Sequence, residues 1–341
     1  MRKRTRTLLV IGVLLIVAAV LAGCGAPQGQ ISLNSPQGPW QTYVVFPLAR
    51  ALIFLHDLIA GLGVAGSWGW AIVVFTLIIK IVTFPLTLKQ LQSTKATQAL
   101  QPKLSELQQK YSKDRSKLAE EQMKLYKEAG VNPTGGCLPL LIQLPILFGL
   151  YQSLYVLANP SVGKLLGAGF LWIPNLSLPS LQVSNYSKLD GINFQGTNWI
   201  GGAFSSGQYG LLLAYFSLPL IMILTQLLLQ KMMQPRATPG QKGGQPDQTQ
   251  MMGQMMMFMP LFFGYITLGL PSGLTLYWSV SNILSVIQQY FVTGWGGVAD
   301  WIPILRPRQP KPALVETVGS SADLAVNASP APKIKRRRRR K

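Results

Sequence analysis

Residues able to do bond chemistry are scarce in this chain. The only histidine is His56, and the two cysteines, Cys24 and Cys137, belong to no CxxC pair and no Cys/His cluster. Metal ligation and Ser-His-Asp catalysis both need such groups at suitable spacing. No GxxxxGK[ST] loop is present to cradle a nucleotide. No metal, no cofactor and no catalysed reaction is therefore expected. The chain does carry one cation, Lys80, inside an apolar run that is otherwise uncharged from 68 to 88. A charge near the centre of a membrane span costs about 2.5–3.5 kcal/mol on insertion scales. Lys80 lies eight residues from the inner end of that run, roughly 12 Å at the helical rise. Snorkelling covers only part of that distance. None of the predicted spans contains an Asp or Glu to pair with it. A lone cation favours water, so Lys80 is expected in a hydrated groove open to the cytoplasm. Gln143, Gln152, Gln226, Ser281, Asn282, Gln288 and Gln289 also fall within spans. They either line the same groove or form ordinary interhelical hydrogen bonds.

The elements that must position these residues follow from composition. The chain has 341 residues, 48% hydrophobic and only 12% charged, with 31 Lys+Arg against 11 Asp+Glu. A soluble domain carries about 25% charged residues. The charge is confined to blocks between long apolar runs, which suits a membrane protein better than a uniformly basic nucleic-acid binder. A span needs about 20 apolar residues, and five segments qualify: about 68–88, 138–158, 209–229, 251–270 and 274–293. Pro271-Ser272-Gly273 leaves room only for a tight turn, so Pro271 and Gly273 read as the hinge of a helical hairpin. The 89–137 segment holds nine Lys/Arg and the part after 293 holds eleven, whereas 159–208 holds only Lys164 and Lys188. By the positive-inside rule, 89–137, 230–250 and the tail are cytoplasmic and 159–208 is outside.

The amino terminus agrees with this orientation. Arg2, Lys3, Arg4 and Arg6 precede an apolar run, Leu8 to Ala22, that ends Leu21-Ala22-Gly23-Cys24. The pattern reads as a secretory signal peptide over 1–23. The Leu-Ala-Gly-Cys ending resembles a bacterial lipobox, which implies an acylated Cys24 on the extracytoplasmic side. Residues 24–67 then form a lipidated stretch and a helix over 41–62 lying in the outer interface, with Leu48, Leu52, Leu55, Ile59 and Leu62 on one face. His56 sits near the headgroups. In the cytoplasm, Leu100, Leu104, Leu107 and Tyr111 make one stripe, and Leu118, Gln122, Leu125 and Ala129 another. With a break at Ser112-Lys113-Asp114 they predict a helical hairpin over 89–131, closed by Gly130. The 234–250 loop, rich in Gln, Gly and Pro, reads as mobile. The 294–341 tail reads as disordered and basic, ending Lys335-Arg336-Arg337-Arg338-Arg339-Arg340-Lys341. Such a tail suits ribosomal RNA or anionic lipid. Six methionines between Met251 and Met259 offer an adaptable apolar surface or simple packing.

Lys80-Ile81-Val82-Thr83-Phe84-Pro85-Leu86-Thr87, then Asn132-Pro133, Gly136-Cys137-Leu138-Pro139 and Gln143-Leu144-Pro145-Ile146, resemble the YidC/Oxa/Alb membrane insertases. So do Pro271-Ser272-Gly273-Leu274-Thr275-Leu276-Tyr277-Trp278, Asn282 and Gln288-Gln289. The likeness covers about 40–295, and the lipobox looks like the lipoprotein branch. It implies an all-α membrane protein: five transmembrane helices around a hydrophilic, cytoplasm-open groove, with a cytoplasmic helical hairpin and an outer interfacial helix. It also implies insertion of newly made membrane proteins, with Lys80, Gln143, Gln226, Asn282 and Gln288 facing the client. Implied partners are nascent clients, the Sec translocon, the ribosome and membrane lipids, at the bacterial cell membrane. The family's groove cation is usually an arginine five residues before the proline. Lys80 before Pro85 keeps the charge and loses the bidentate fork. A small-solute transporter or channel is the competing reading. It predicts internal repeats and more intramembrane ionisable groups. A membrane-anchored assembly protein is a third.

Overall fold

The computed structural model describes residues 38–300, apart from 113, 132–137, 160–161, 163–164, 166, 180–187, 195–196 and 235–247. Side chains of 138–142, 248–257, 299 and 300 are also outside the description. The signal peptide, Cys24, Asn132-Pro133, Gly136-Cys137, the middle of the 234–250 loop, Met251 to Met257 as side chains, and the arginine tail fall outside the described residues.

Helices dominate. They are α1 (Gln41–Gly61, opening with a π-turn), α2 (Ser67–Ala99), α3 (Gln101–Lys110), α4 (Arg115–Glu128), α5 (Leu138–Ala158), α6 (Asn198–Ser205), α7 (Tyr209–Met233), α8 (Gln248–Thr267) and α9 (Ser272–Thr293). A 3-10 turn follows at Gly296–Asp300. The only sheet among the described residues is a two-stranded ribbon, β1 (Lys188–Leu189) with β2 (Ile192–Asn193). Among the described residues α1, α2 and α7 are long and apolar enough to cross a bilayer, and the described apolar parts of α5 and α8 are shorter. This is an all-α membrane protein. Each of the five expected spans coincides with a helix. Residues 41–61 meet the same length and composition test, although Arg50 and Asp57 on the exposed side set them apart.

The central helix is α9, packed against α7 on one side and α2 on the other, with α8 on the far side of α7 and α1 on the far side of α2. Contacts fix the directions. Gly273 lies beside Ile72, and further along Lys80 meets Ser285, so α2 and α9 are parallel. Ser279 Oγ donates to the Leu218 carbonyl and Asn282 Nδ2 to that of Met222, so α7 and α9 are parallel too. The last part of α8 touches α9 through the Phe263–Trp278 ring pair. The body of α8 leans on α7 instead, where Gly264 admits Ile223.

Two points of local structure are sharpened. The helix that carries the first expected span does not stop at 88: α2 runs on to Ala99, because nothing between Leu86 and Ala99 breaks a helix, and Pro102 starts the next one. The hairpin proper is α3 and α4, with Leu104 and Leu118 buried between them. Asp114 caps α4 by accepting the Lys117 N–H at 3.0 Å. Gly130, at φ 65°, ends it as expected, with the Val131 amide bonded to the Tyr126 carbonyl. The second concerns Pro271 and Gly273, which lie in the expected tight turn between two helices, and that turn is clamped. Both are buried. The Ser272 and Gly273 amides, orphan donors at a helix start, donate to the carbonyls of Leu178 and Leu176 at 2.9 Å each. Ser272 Oγ adds a bond of 2.6 Å to the Leu178 carbonyl.

Burial is lopsided along the length of the long helices. The main apolar core draws on Trp68 to Phe75, Leu150 to Leu157, Tyr215, Leu218, and Leu274 to Tyr277. All of these lie in the halves of α2, α5, α7 and α9 next to the 159–208 loop. That loop adds Leu165, Phe170, Ile173, Leu176, Leu178, Ile192, Phe194 and Trp199. Phe170 lies flat over Gly69, where any Cβ would overlap its ring. Facing outward, Ile81, Val82, Leu213, Leu220, Phe262 and Phe291 are exposed apolar side chains, as lipid contact requires.

Candidate functional site

Lys80 stands thirteen residues past the start of α2, and Ser285 thirteen past the start of α9. With the helices parallel, both lie roughly 20 Å along the helical rise, below the sealed apolar core. Lys80 Nζ donates to Ser285 Oγ at 2.6 Å, its only hydrogen bond among the described residues. Ser285 Oγ in turn donates a hydrogen bond to the Ser281 carbonyl one turn back, at 2.9 Å. A lone pair of the hydroxyl is thereby directed at the ammonium. The lysine expected to depend on water alone has a fixed neutral partner, and it keeps donors for others. Thr83 Oγ1 accompanies it, donating to the carbonyls of Ile79 and Lys80. Pro85 removes the amide that would have reached Ile81. The segment around the cation thus mixes threonine back-bonds with a missing helical bond.

The other expected residues are placed unevenly. Gln288 lies on the inner part of α9, half-buried, and its Oε1 is buried without a partner. Gln289, one residue on, is fully buried. Its Nε2 reaches Thr293 Oγ1 at 2.8 Å while its Oε1 is also unpaired. Asn282 faces α7 rather than Lys80, with its amide at 3.4 Å from the Met222 carbonyl. Gln226 sits one turn beyond Met222 on α7, half-buried, and forms no hydrogen bond among the described residues. Gln143 is held elsewhere: its Nε2 donates to Tyr277 Oη at 2.8 Å, which joins α5 to α9. Gln152 accepts the Trp40 indole N–H at 2.9 Å, at the opposite end of α5. His56 fastens α1 to α2, stacked on Trp68 at 4.1 Å and bonded to Ser67 Oγ.

The residue missed by sequence reasoning is Ser285. A signal for it existed. Ser281, Ser285, Gln288 and Gln289 recur at helical spacing and make one polar stripe along an apolar helix. Two more features close the inner end. Gln98 Nε2 donates to the Met233 carbonyl, tying α2 to α7. The Gly296–Asp300 turn folds back beneath α7, with Gly296 against the Met232 carbonyl. Beyond it, the two hairpin helices flank an open cleft of about 350 Å³. Its walls alternate Lys103, Glu106, Lys110, Glu121, Lys124 and Glu128 around Leu107 and Leu125. Among the described residues no His, Cys, Asp and Glu cluster could hold a metal.

Comparison with known proteins gives a consistent answer. The family described as "60Kd inner membrane protein" matches residues 60–296. Inner membrane protein ALBINO3 of Arabidopsis thaliana, a chloroplast protein, is 35% identical over 286 residues, which is 82% of this chain and 58% of that one. Membrane protein insertase YidC 2 of Listeria innocua is 35% identical over 296 residues, 85% of each chain. Membrane protein insertase YidC of Treponema denticola is 40% identical over 251 residues, 72% of this chain and 37% of its own. The chain thus spans little more than half the length of the chloroplast relative and less of the spirochaete one.

Proposed function

The chain belongs to the 60Kd inner membrane protein family, and on that premise we propose that it inserts newly made proteins into a membrane through a hydrated groove centred on Lys80. The observation that carries this reading is the lysine itself, half-buried and, among the described residues, bonded only to Ser285, beside a stripe that ends in two amide oxygens with no partner among those residues. Buried acceptors without donors are rare and want water. Water entering from the cytoplasmic side would satisfy Gln288 and Gln289 and hydrate Lys80. The apolar core on the other side supports a groove closed outward. Family membership weighs against the transporter reading.

The mechanism is electrostatic and needs no bond chemistry. A client's short hydrophilic segment enters the groove, where water lowers the cost of leaving the cytoplasm. Lys80 attracts acidic side chains in that segment as a point charge. The client's apolar stretch meanwhile slides into lipid, which supplies about 0.8 kcal/mol per buried CH₂ group. A membrane potential adds about 2.3 kcal/mol per charge per 100 mV. The α3–α4 cleft, with both signs of charge around two leucines, serves as the first contact for clients. Cys24 is proposed as a lipid anchor on the outer face of a bacterial cell membrane. The basic tail is proposed to contact ribosome or anionic lipid, and the Sec translocon to be a partner for long clients. The groove residues proposed are Lys80, Ser285, Gln288 and Gln226, with Asn282 and Gln143 bracing the helices that carry them.

The test is insertion of a single-span client with an acidic outer segment into proteoliposomes. Lys80→Arg is expected to retain insertion and Lys80→Glu to reduce it at least tenfold. Equal insertion by Lys80→Glu would remove the charge mechanism. Deleting residues 336–341 tests the tail by ribosome co-sedimentation, which is expected to fall.

A further inference from the structure

The 159–208 loop folds mostly inward, yet one point of it turns the other way. Phe170 and Ile173 exchange both amide hydrogen bonds, at 2.9 and 2.8 Å, and close a two-residue turn. The turn residues are Leu171 and Trp172, which are 69% and 52% exposed. Leu171 adopts φ 53°, a region where a bulky residue is out of place and glycine or asparagine is usual. The base of the turn is rigid. Ile173 is buried, and Phe170 lies over Gly69 with its ring edge-on to Trp70 at 5.5 Å. A fixed base thus presents a leucine and a tryptophan outward, the leucine in a conformation it does not favour. Such strain persists where the surroundings use it.

The surroundings are specific. Trp172 Nε1 donates to Ser217 Oγ of α7 at 2.6 Å. Ser217 is eight residues into α7, roughly 12 Å along it. It shares its face with Leu213 and Leu220, which are 75% and 55% exposed, on a helix long and apolar enough to span a bilayer. The indole therefore lies not above the membrane-capable helix but alongside it, between two lipid-facing leucines. Backbone at that depth must satisfy its own polar groups. The Phe170–Ile173 pair does so, and the indole N–H is met by a serine that itself bonds the Ala214 carbonyl.

We propose that Leu171–Trp172 is a wedge lodged in the outer leaflet, at the boundary of headgroups and acyl chains, against the lipid-facing side of α7. The occupant of this apolar point is lipid, since the leucines flanking it belong to the face that α7 presents to lipid. An indole with its N–H paired and its rings in the boundary is what that region selects. The wedge holds the outer loop down over the apolar core and fixes its depth. It rests on the membrane orientation of the chain and not on client insertion, so its failure would leave the groove untouched.

The test places a thiol at Leu171→Cys in a Cys137→Ser background, labels it with an environment-sensitive fluorophore, and reconstitutes the full chain in phosphatidylglycerol–phosphatidylethanolamine vesicles. Signal from the Cys137→Ser parent is subtracted. Asp190→Cys, at the exposed ribbon turn, is the aqueous control. Phosphatidylcholine brominated near the headgroup is expected to quench the Leu171→Cys label several-fold more than the control, and external iodide several-fold less. Iodide quenching equal to the control would overturn the wedge. Protection from both quenchers would overturn it as well, because the point would then be covered by protein. A label at Trp172→Cys must behave the same way.

Discussion

Lys80 and Ser285 are 205 residues apart in sequence and 2.6 Å apart in space. Only one of them announced itself. A single cation in a charge-free apolar run is conspicuous, because each alternative to a polar setting is expensive. A serine in a helix is not, since its hydroxyl can always bond its own backbone, and Ser285 does that as well. The lysine's partner had to be neutral, as the spans contain no carboxylate, but sequence did not say which hydroxyl. This partner matters because an ammonium on a four-carbon stem is free to swing and lacks a guanidinium's fixed fork. Ser285→Ala is therefore expected to lower insertion of a client with an acidic outer segment several-fold, with little change for a client whose outer segment is uncharged. An equal loss for both clients would assign Ser285 to packing. The glutamines divide by the same logic: all were visible as polar residues in spans. Gln143 and Gln152 turned out to serve Tyr277 and Trp40, which no spacing rule could indicate.

At the scale of elements, apolar run length located the helices well and their ends poorly. A hydropathy window sees where lipid stops, whereas a helix stops only at a breaker. α2 therefore passes the basic Lys89 and Lys95 without interruption and ends where Pro102 begins α3. The hairpin break at Ser112-Lys113-Asp114 was legible because Asp114 is a strong N-cap, and Gly130 because its φ of 65° suits glycine. Asp114→Ala is expected to destabilise α4 by about 1 kcal/mol, read as faster amide hydrogen exchange in its first turn with α2 and α9 unaffected. The clamp on Ser272 and Gly273 was not legible, since its acceptors belong to an irregular loop nearly a hundred residues earlier. Ser272→Ala removes one of the three bonds and should cost about 1 kcal/mol, seen as a lower Tm in detergent. An unchanged Tm would show that the two amides hold the turn alone.

For the whole molecule, the organising feature is the contrast between a closed apolar half next to the 159–208 loop and a more polar half at the other end of the same helices. The helices themselves were readable from apolar runs, and the family match over 60–296 covers them. The seal was not readable, because it depends on Phe170, Leu176, Phe194 and Trp199 folding back from a loop whose sequence shows no regular periodicity. Gly69→Leu tests the seal directly. Its side chain has no room beneath Phe170, and overpacking of this kind costs about 1–3 kcal/mol. The variant should lose thermal stability, and its vesicles should leak a small anionic dye faster than the parent's. The most direct test of the central claim is the accessibility of position 80 itself. With Cys137 replaced by Ser, Lys80→Cys is exposed to a membrane-impermeant maleimide in right-side-out and in inverted vesicles. The account predicts prompt labelling only in inverted vesicles, where the cytoplasmic face meets the reagent. Labelling from the outer face, or none from either, would contradict a hydrated groove open to the cytoplasm.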